Sequence, residues 1–187
     1  VLGVGAAEFI ENGAFRGENV VVVRRGGPEE LLVKEFRFPL DGKASPREIM
    51  IRHTGYATVD RVQVVGLWPR VYVFGRGVVF SYDRSDPTAS NWFAVQEPKL
   101  VQVASPEWEI VGVPRPRAEG AAGLSRDGYI FAMTKKDGRL FRFEMTNGAE
   151  ITRDAQEMAS ANGGVASLHD LQKAQRNSNQ AVPLTDG

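Results

Sequence analysis

The feature that most constrains this chain is a series of short runs rich in Val, Ile, Phe and Tyr, separated by Gly, Pro and Asp-Gly breaks. β-Branched and aromatic residues fit a pleated, half-buried surface, and the breaks supply turns. None of the runs has a convincing helical period. The predicted strands are 20–24, 31–38, 49–53, 58–67, 71–74, 78–82, 92–96, 100–104, 108–113, 129–134 and 139–145.

Strands in such close succession indicate hairpins and antiparallel sheets rather than βαβ units. We therefore predict a mainly β fold, an antiparallel β-sandwich or barrel of about ten short strands. Before the last predicted strand, a helix is expected only over residues 5–12, GAAEFIEN.

The aromatic residues predict where the β domain ends. All 17 Phe, Trp and Tyr residues lie between Phe9 and Phe143. We therefore predict a β domain over 1–145 and a C-terminal helical or irregular appendage over 146–187. Within the appendage, 152–161 is predicted as a helix that ends before Asn-Gly-Gly, and a second short helix is expected to begin at Ser167.

A hairpin is predicted around Asp137-Gly138, because these residue types tolerate the positive φ of a tight turn. Apolar side chains recur at every second position on both sides of the turn, so we expect one buried aromatic face on the hairpin. The side chains assigned to that face are Tyr129, Phe131, Met133, Phe141, Phe143 and Met145.

The segment DGYIFAMTKKDGRLFRFE also resembles a blade segment of the PQQ-like β-propeller repeats, and RGVVFSYDRSD, 51 residues earlier, resembles it more loosely. The resemblance covers about 20 residues and implies propeller-like blades as an alternative fold. A closed propeller needs about four blades or more, and four copies of the pattern are not present in the sequence.

Composition excludes several classes of function. Lys and Arg together number 23, as do Asp and Glu, so the net charge of zero argues against broad nucleic-acid binding. There is no cysteine, which excludes disulfides, thiolate metal sites and cysteine nucleophiles. No window approaches the roughly 18 apolar residues of a membrane-spanning helix. Because the chain begins with Val1, we expect a processed, exported or organellar product.

A few residues are candidates for chemistry. His53, at the end of a predicted strand, is a candidate general base. Asp83 and Asp86 lie three positions apart in a predicted turn and could bind Ca²⁺ through carboxylate oxygens, although Asp86 before Pro87 also suits an ordinary turn. Tryptophans at strand ends are enriched in interfaces and sugar sites, so Trp68, Trp92 and Trp108 are candidates for ligand contacts, although Trp is also common as a plug at the end of a β core.

Other residues are candidates for binding protein partners. Arg115 and Arg117 project from the extended PRPR segment and could contact an acidic surface. In the appendage, the apolar side chains of Met158, Leu168 and Leu171 are the corresponding candidates. A segment with so few apolar residues needs a neighbour to order it.

The sequence favours a non-catalytic protein, because no catalytic arrangement or cofactor loop is recognisable. We expect a structural or accessory subunit that binds other protein subunits, in a larger complex or a homo-oligomer, without a cofactor. Two alternatives stay open. One is a carbohydrate- or Ca²⁺-binding β module that uses the tryptophans and Asp83, and the other is a small β-barrel enzyme with His53 as its base.

Overall fold

The structure, a computed structural model, describes residues 1–11, 14–37, 46–85, 92–114, 128–136, 138–146, 150–151 and 156–159. These residues form three antiparallel sheets. The first sheet contains β1 (Gly3–Glu11), β2 (Ala14–Gly27), β3 (Glu30–Arg37) and β4 (Arg47–Arg52). The second contains β5 (Gln63–Leu67), β6 (Arg70–Gly75), β7 (Val78–Asp83) and β8 (Trp92–Ala94).

The third sheet contains β9 (Trp108–Pro114), β10 (Gly128–Thr134), β11 (Leu140–Thr146), β12 (Glu150–Ile151) and β13 (Gln156–Ala159). Two short helices lie between strands, a 3₁₀ helix over Thr54–Thr58 and α1 over Pro98–Val103. The prediction of a mainly β, antiparallel, sandwich-like fold is confirmed, and within the described residues the sheets do not close into a barrel. No helix among the described residues has the length and apolar character needed to cross a membrane.

The three sheets stack face to face in chain order. One core cluster joins the first and second sheets and includes Val21, Ile49 and Phe80. A second cluster joins the other face of the second sheet to the third sheet and α1, and includes Tyr72 and Phe143. The second sheet is therefore the middle layer and is buried on both faces.

Glycine residues allow the first strands of neighbouring sheets to approach closely, with β1 against β5 and β5 against β9. A Cβ atom on Gly66 would lie 2.6 Å from the Cα atom of Ala7, and one on Gly112 would lie 2.3 Å from a methyl group of Val65. Contacts this short are forbidden between real side chains. These glycines thus set the spacing of the three layers.

In each sheet the first four strands lie side by side in chain order. The first strand of each sheet also packs against the first strand of the next sheet, β1 against β5 and β5 against β9. Neighbouring blades of a propeller have this connectivity, which agrees with the alternative fold. Three sheets are fewer than the roughly four that the smallest closed propeller needs. The described residues therefore form a three-layer sandwich whose layers are connected as blades are.

Three predicted elements are wrong. The helix predicted over 5–12 is wrong over its described residues, 5–11, because Gly3–Glu11 pairs along its length with β2. Residues 100–104 are not a strand, because Pro98 begins α1 and the side chain of Glu97 accepts a hydrogen bond from the backbone N–H of Lys99.

The helix predicted over 152–161 is also wrong in the part that the structure describes. Gln156–Ala159 form a strand that pairs with Leu140–Arg142 of β11. The open edge of β11 satisfies their backbone hydrogen bonds, which outweighs the helical preference of Ala, Gln and Met. The predicted boundary between the β domain and the C-terminal appendage, after residue 145, stays a prediction.

The hairpin of β10 and β11 is present, but its aromatic residues do not share one face. Directly paired residues lie on the same side of a sheet, and Phe131 pairs with Arg142 whereas Phe143 pairs with Ile130. Phe143 therefore packs in the core against the second sheet, and Phe131 packs on the opposite face with Val113 and Leu140. The turn contains Gly138 at φ 67°, as predicted, and Asp137 lies outside the described residues.

Candidate functional site

Two of the four large hydrophobic side chains that are exposed among the described residues lie on the side of the first sheet that faces away from the second sheet. We call it the outer face. It is formed by alternate residues of β1 to β4, whose neighbours in sequence fill the core on the other side. Its apolar members are Val4, Ala6, Val20, Val22, Leu32, Phe36 and Met50.

Two of these side chains are largely in solvent: 60% of Val4 and 40% of Met50 is exposed. Val20, Val22 and Phe36 are half-buried. Burying a Val or Met side chain completely is worth about 1.5–3 kcal/mol, so a partner that covered this face would gain several such contributions. The apolar side chains share the face with two ion pairs, Lys34–Glu48 and Arg52–Glu30, and a mixed apolar and charged surface is typical of non-obligate interfaces.

Parts of three strands of the first sheet are apolar at successive positions, as in a sheet with two buried faces. A half-exposed strand alternates apolar and polar residues, whereas a strand buried on both sides is apolar throughout. The run Val20–Val23, the pair Leu31–Leu32 and the segment Ile49–Ile51 are apolar without alternation. In the second sheet, such runs are covered on both sides, whereas the first sheet is covered on one.

A closed polar cluster ties the first sheet to the second. Arg84 Nε lies 3.0 Å from Glu35 Oε2, and their side chains are 3% and 5% exposed. The same carboxylate oxygen accepts a hydrogen bond from Asn19 at 3.1 Å, and Arg84 also donates to the backbone carbonyl of Glu8. Burial, together with the negative charge of Glu35, raises the pKa of Tyr82. Because solvent does not reach this cluster, it suits a structural clamp rather than a catalytic site.

His53, the candidate base, is held in place by backbone and ring contacts. Its Nδ1 atom accepts a hydrogen bond of 3.0 Å from the N–H of Gly55 and so begins the 3₁₀ helix. Its ring meets Tyr56 and Phe80 edge-on, with centroids 5.9 and 5.5 Å away. Nδ1, the nitrogen whose lone pair a general base would use, is therefore occupied by the hydrogen bond that caps the 3₁₀ helix. The catalytic role of His53 stays a prediction.

The three tryptophans do not come together. Trp68 is buried, precedes a cis peptide bond to Pro69 and has the guanidinium of Arg84 5.5 Å from its ring. Trp92 packs against Phe80 in the core between the first and second sheets. Trp108 packs against Phe141 in the other core. Their packing accounts for each ring without a ligand, and the predicted ligand contacts stay predictions.

The oxygens of Asp83 are already engaged. One oxygen accepts hydrogen bonds from the N–H and the hydroxyl of Ser85, and the other lies 3.8 Å from Arg70. Asp86 lies outside the described residues. No group of three or more His, Asp or Glu residues in the described ranges is placed to hold a metal ion. Calcium binding by this pair stays a prediction.

A shallow cleft of about 250 Å³ lies where the second and third sheets meet. Arg61, Arg76 and Lys135 line it, together with Asp60. Lys135 is paired with Glu109 at 3.1 Å and donates to the carbonyl of Pro106. The cleft thus holds less free positive charge than its lining suggests.

The residues predicted to bind partners fall mostly outside the described part of the chain. Arg115, Arg117, Leu168 and Leu171 are not described, and Met158 is placed only by its backbone, in β13. Sequence reasoning missed the outer face. The signal that could have revealed it is Val20–Val23, which was interpreted only as a strand.

Searches against protein-family models, curated proteins and solved structures found no match to this chain.

Proposed function

We propose that this protein is a non-catalytic assembly component that binds another protein chain through the outer face of its first sheet. The observation that carries the proposal is the exposure of two large apolar side chains, Val4 and Met50, on the two edge strands of the outer face. A sheet face that places apolar side chains in solvent beside charged ones is suited to a protein partner.

The candidate base, a candidate Ca²⁺ ligand and a buried carboxylate support this proposal indirectly. His53 caps a helix, Asp83 bonds to Ser85, and Glu35 is sealed against Arg84. Each of these polar groups has a structural partner, and no two of the three are joined by a described hydrogen bond. The outer face, in contrast, carries apolar side chains that belong to none of the core clusters in the described part of the chain.

The test introduces charge into the outer face and follows the native complex. We expect Val4→Glu and Met50→Glu to reduce the native mass of the assembly and to release its companions, because a carboxylate would have to be buried without a partner. Native mass and co-purifying chains are measured for each variant.

The matched control is Phe93→Glu, because Phe93 is also 40% exposed but lies on the second sheet. We expect this variant to keep the native mass of the unaltered chain. An unchanged assembly in both Val4→Glu and Met50→Glu would reject the proposal.

A further inference from the structure

The outer face carries a charge pattern along β2 that is complementary to itself. Glu18, Val20, Val22 and Arg24 occupy alternate positions of this strand, so their side chains stand in one row on one side of the sheet. The row reads acidic, apolar, apolar, basic. If two such rows run antiparallel, each Glu18 faces an Arg24, and each Val20 faces a Val22.

Both charged ends of the row are available for a partner. Arg24 and Glu18 are exposed, and neither has a side-chain ion pair or hydrogen bond within the described residues. Between them, Val20 and Val22 are half-buried, and β1 adds the exposed Val4 and Ala6 beside them. The β2 row is thus apolar in its middle and oppositely charged at its ends, and the ion pair of Lys34 and Glu48 lies beside Val22 on the same face.

We propose that the outer face binds the same face of a second copy of this chain, with the two β2 strands antiparallel across a two-fold axis. The inference rests on the proposed function and names the partner. Self-complementary patches are the rule in two-fold dimers, because residue i contacts residue j and j contacts i. A parallel arrangement would place Glu18 against Glu18 and Arg24 against Arg24, which repulsion disfavours.

The geometry of packed sheets permits these contacts. Sheets that stack face to face cross at about 30°, and their centres lie about 10 Å apart. Arg24 and Glu18 lie about three residues, roughly 10 Å, from the middle of the row. The crossing angle then offsets each facing pair by roughly 5 Å, a distance that the long side chains of Arg and Glu can span.

The size of the face predicts the strength of the dimer. Four strands and the seven residues from Glu18 to Arg24 cover roughly 19 Å by 23 Å, or roughly 400 Å² in projection. Stable complexes bury about 800 Å² on each partner. We therefore expect a reversible dimer that depends on concentration, with a dissociation constant on the order of micromolar.

The experiment is sedimentation equilibrium of the full chain over a range of concentrations, with charge-reversal variants. We expect Arg24→Glu and Glu18→Arg each to raise the dissociation constant by about tenfold or more, because two facing pairs become repulsive in the dimer. The double variant Glu18→Arg/Arg24→Glu should restore the dissociation constant of the original chain. Thermal melting checks that each variant is folded.

Three outcomes would overturn the inference. They are a monomer at every concentration up to the solubility limit, a dimer that neither single variant weakens, or a double variant that is not rescued. The proposed function is judged separately, from Val4→Glu in the native complex. A monomeric chain whose native complex still requires Val4 would reject the second copy and keep the proposed function.

Discussion

The ion pair between Arg84 and Glu35 joins two sheets at a point that solvent does not reach. Removing one partner of a buried pair leaves an uncompensated charge, which typically costs about 3–5 kcal/mol. We expect Arg84→Met to lower the free energy of unfolding by about 3 kcal/mol, measured by urea denaturation. The double variant Arg84→Met/Glu35→Leu should lose less than the sum of its single changes, since no isolated charge remains.

An exposed ion pair provides the control. Arg52 Nε lies 2.7 Å from Glu30, but the Arg52 side chain is 75% exposed. Arg52→Met should therefore cost less than about 1 kcal/mol. Equal losses in Arg84→Met and Arg52→Met would contradict a clamping role for the buried pair.

Three buried tyrosines predict how stability changes at alkaline pH. Burial raises the pKa of Tyr56, Tyr72 and Tyr82 above their ordinary value of 10.0. In the unfolded chain these groups lose their protons near pH 10, whereas in the folded chain they keep them. The unfolded state then binds fewer protons, so stability is fully present below about pH 10 and falls as pH rises above it.

The measurement is the free energy of unfolding between pH 8 and pH 11, with tyrosinate absorbance recorded in parallel. Each of the three tyrosines contributes a slope of up to about 1.4 kcal/mol per pH unit above pH 10. Tyr72→Phe should reduce the slope. Ionisation of these three residues in the still-folded protein near pH 10 would refute the prediction.

For single residues, the sequence predicted positions along the strands but not contacts between distant residues. Composition and spacing identified His53 and Asp83 as polar residues near strand ends, and both lie at such positions. The Arg84–Glu35 pair was not predictable, because its members are 49 positions apart and meet only when two sheets stack. Contacts of that kind depend on the arrangement of the sheets, which a period-two pattern does not determine.

At the scale of elements, glycine determines how closely the layers pack. A Cβ atom on Gly66 would meet backbone atoms of Ala6 and Ala7 at 2.7 and 2.6 Å. Backbone cannot move aside as a flexible side chain can. We therefore expect Gly66→Ala to lower the free energy of unfolding by about 2 kcal/mol, measured by chemical denaturation.

Gly26→Ala is the matched control for this prediction. A Cβ atom on Gly26 would meet the flexible thioether of Met50 at 3.1 Å and the Cβ atom of Glu30 at 3.3 Å, so it would approach no backbone atom as closely as on Gly66. This variant should stay within about 0.5 kcal/mol of the original chain. A loss in Gly66→Ala no larger than that in Gly26→Ala would show that the layers tolerate wider spacing.

Most strands were predictable because their apolar runs and turn residues are local signals. The errors have local causes as well. Over 100–104, the apolar run was given more weight than Pro98, which favours the start of a helix. In the hairpin, the alternating apolar residues of β10 and β11 were assigned to one face although the register of the two strands was not known. A shift of one residue in register moves every side chain to the other face, so a correct hairpin can carry a wrong face.

At the scale of the whole molecule, the three sheets differ in how completely their faces are covered. Within the described residues the second sheet is covered on both faces, whereas the outer face of the first sheet exposes apolar side chains to solvent. Sequence alone predicts a protein-binding role but assigns it to the PRPR segment and the tail. The stacking order of the sheets, which the sequence does not encode locally, is what identifies the outer face as a surface without a neighbouring sheet among the described residues.

The most direct test of the central claim is the labelling rate of a thiol placed on the outer face. The chain has no cysteine, so Ala6→Cys provides a single reporter at an exposed position of that face. Ala57→Cys is the matched control, because Ala57 is also an exposed alanine but lies in the 3₁₀ helix. If protein covers the outer face in the assembled state, Ala6→Cys will label several-fold more slowly in the native assembly than in the dilute purified chain, while Ala57→Cys labels equally in both. Equal rates for Ala6→Cys in both states would contradict the account.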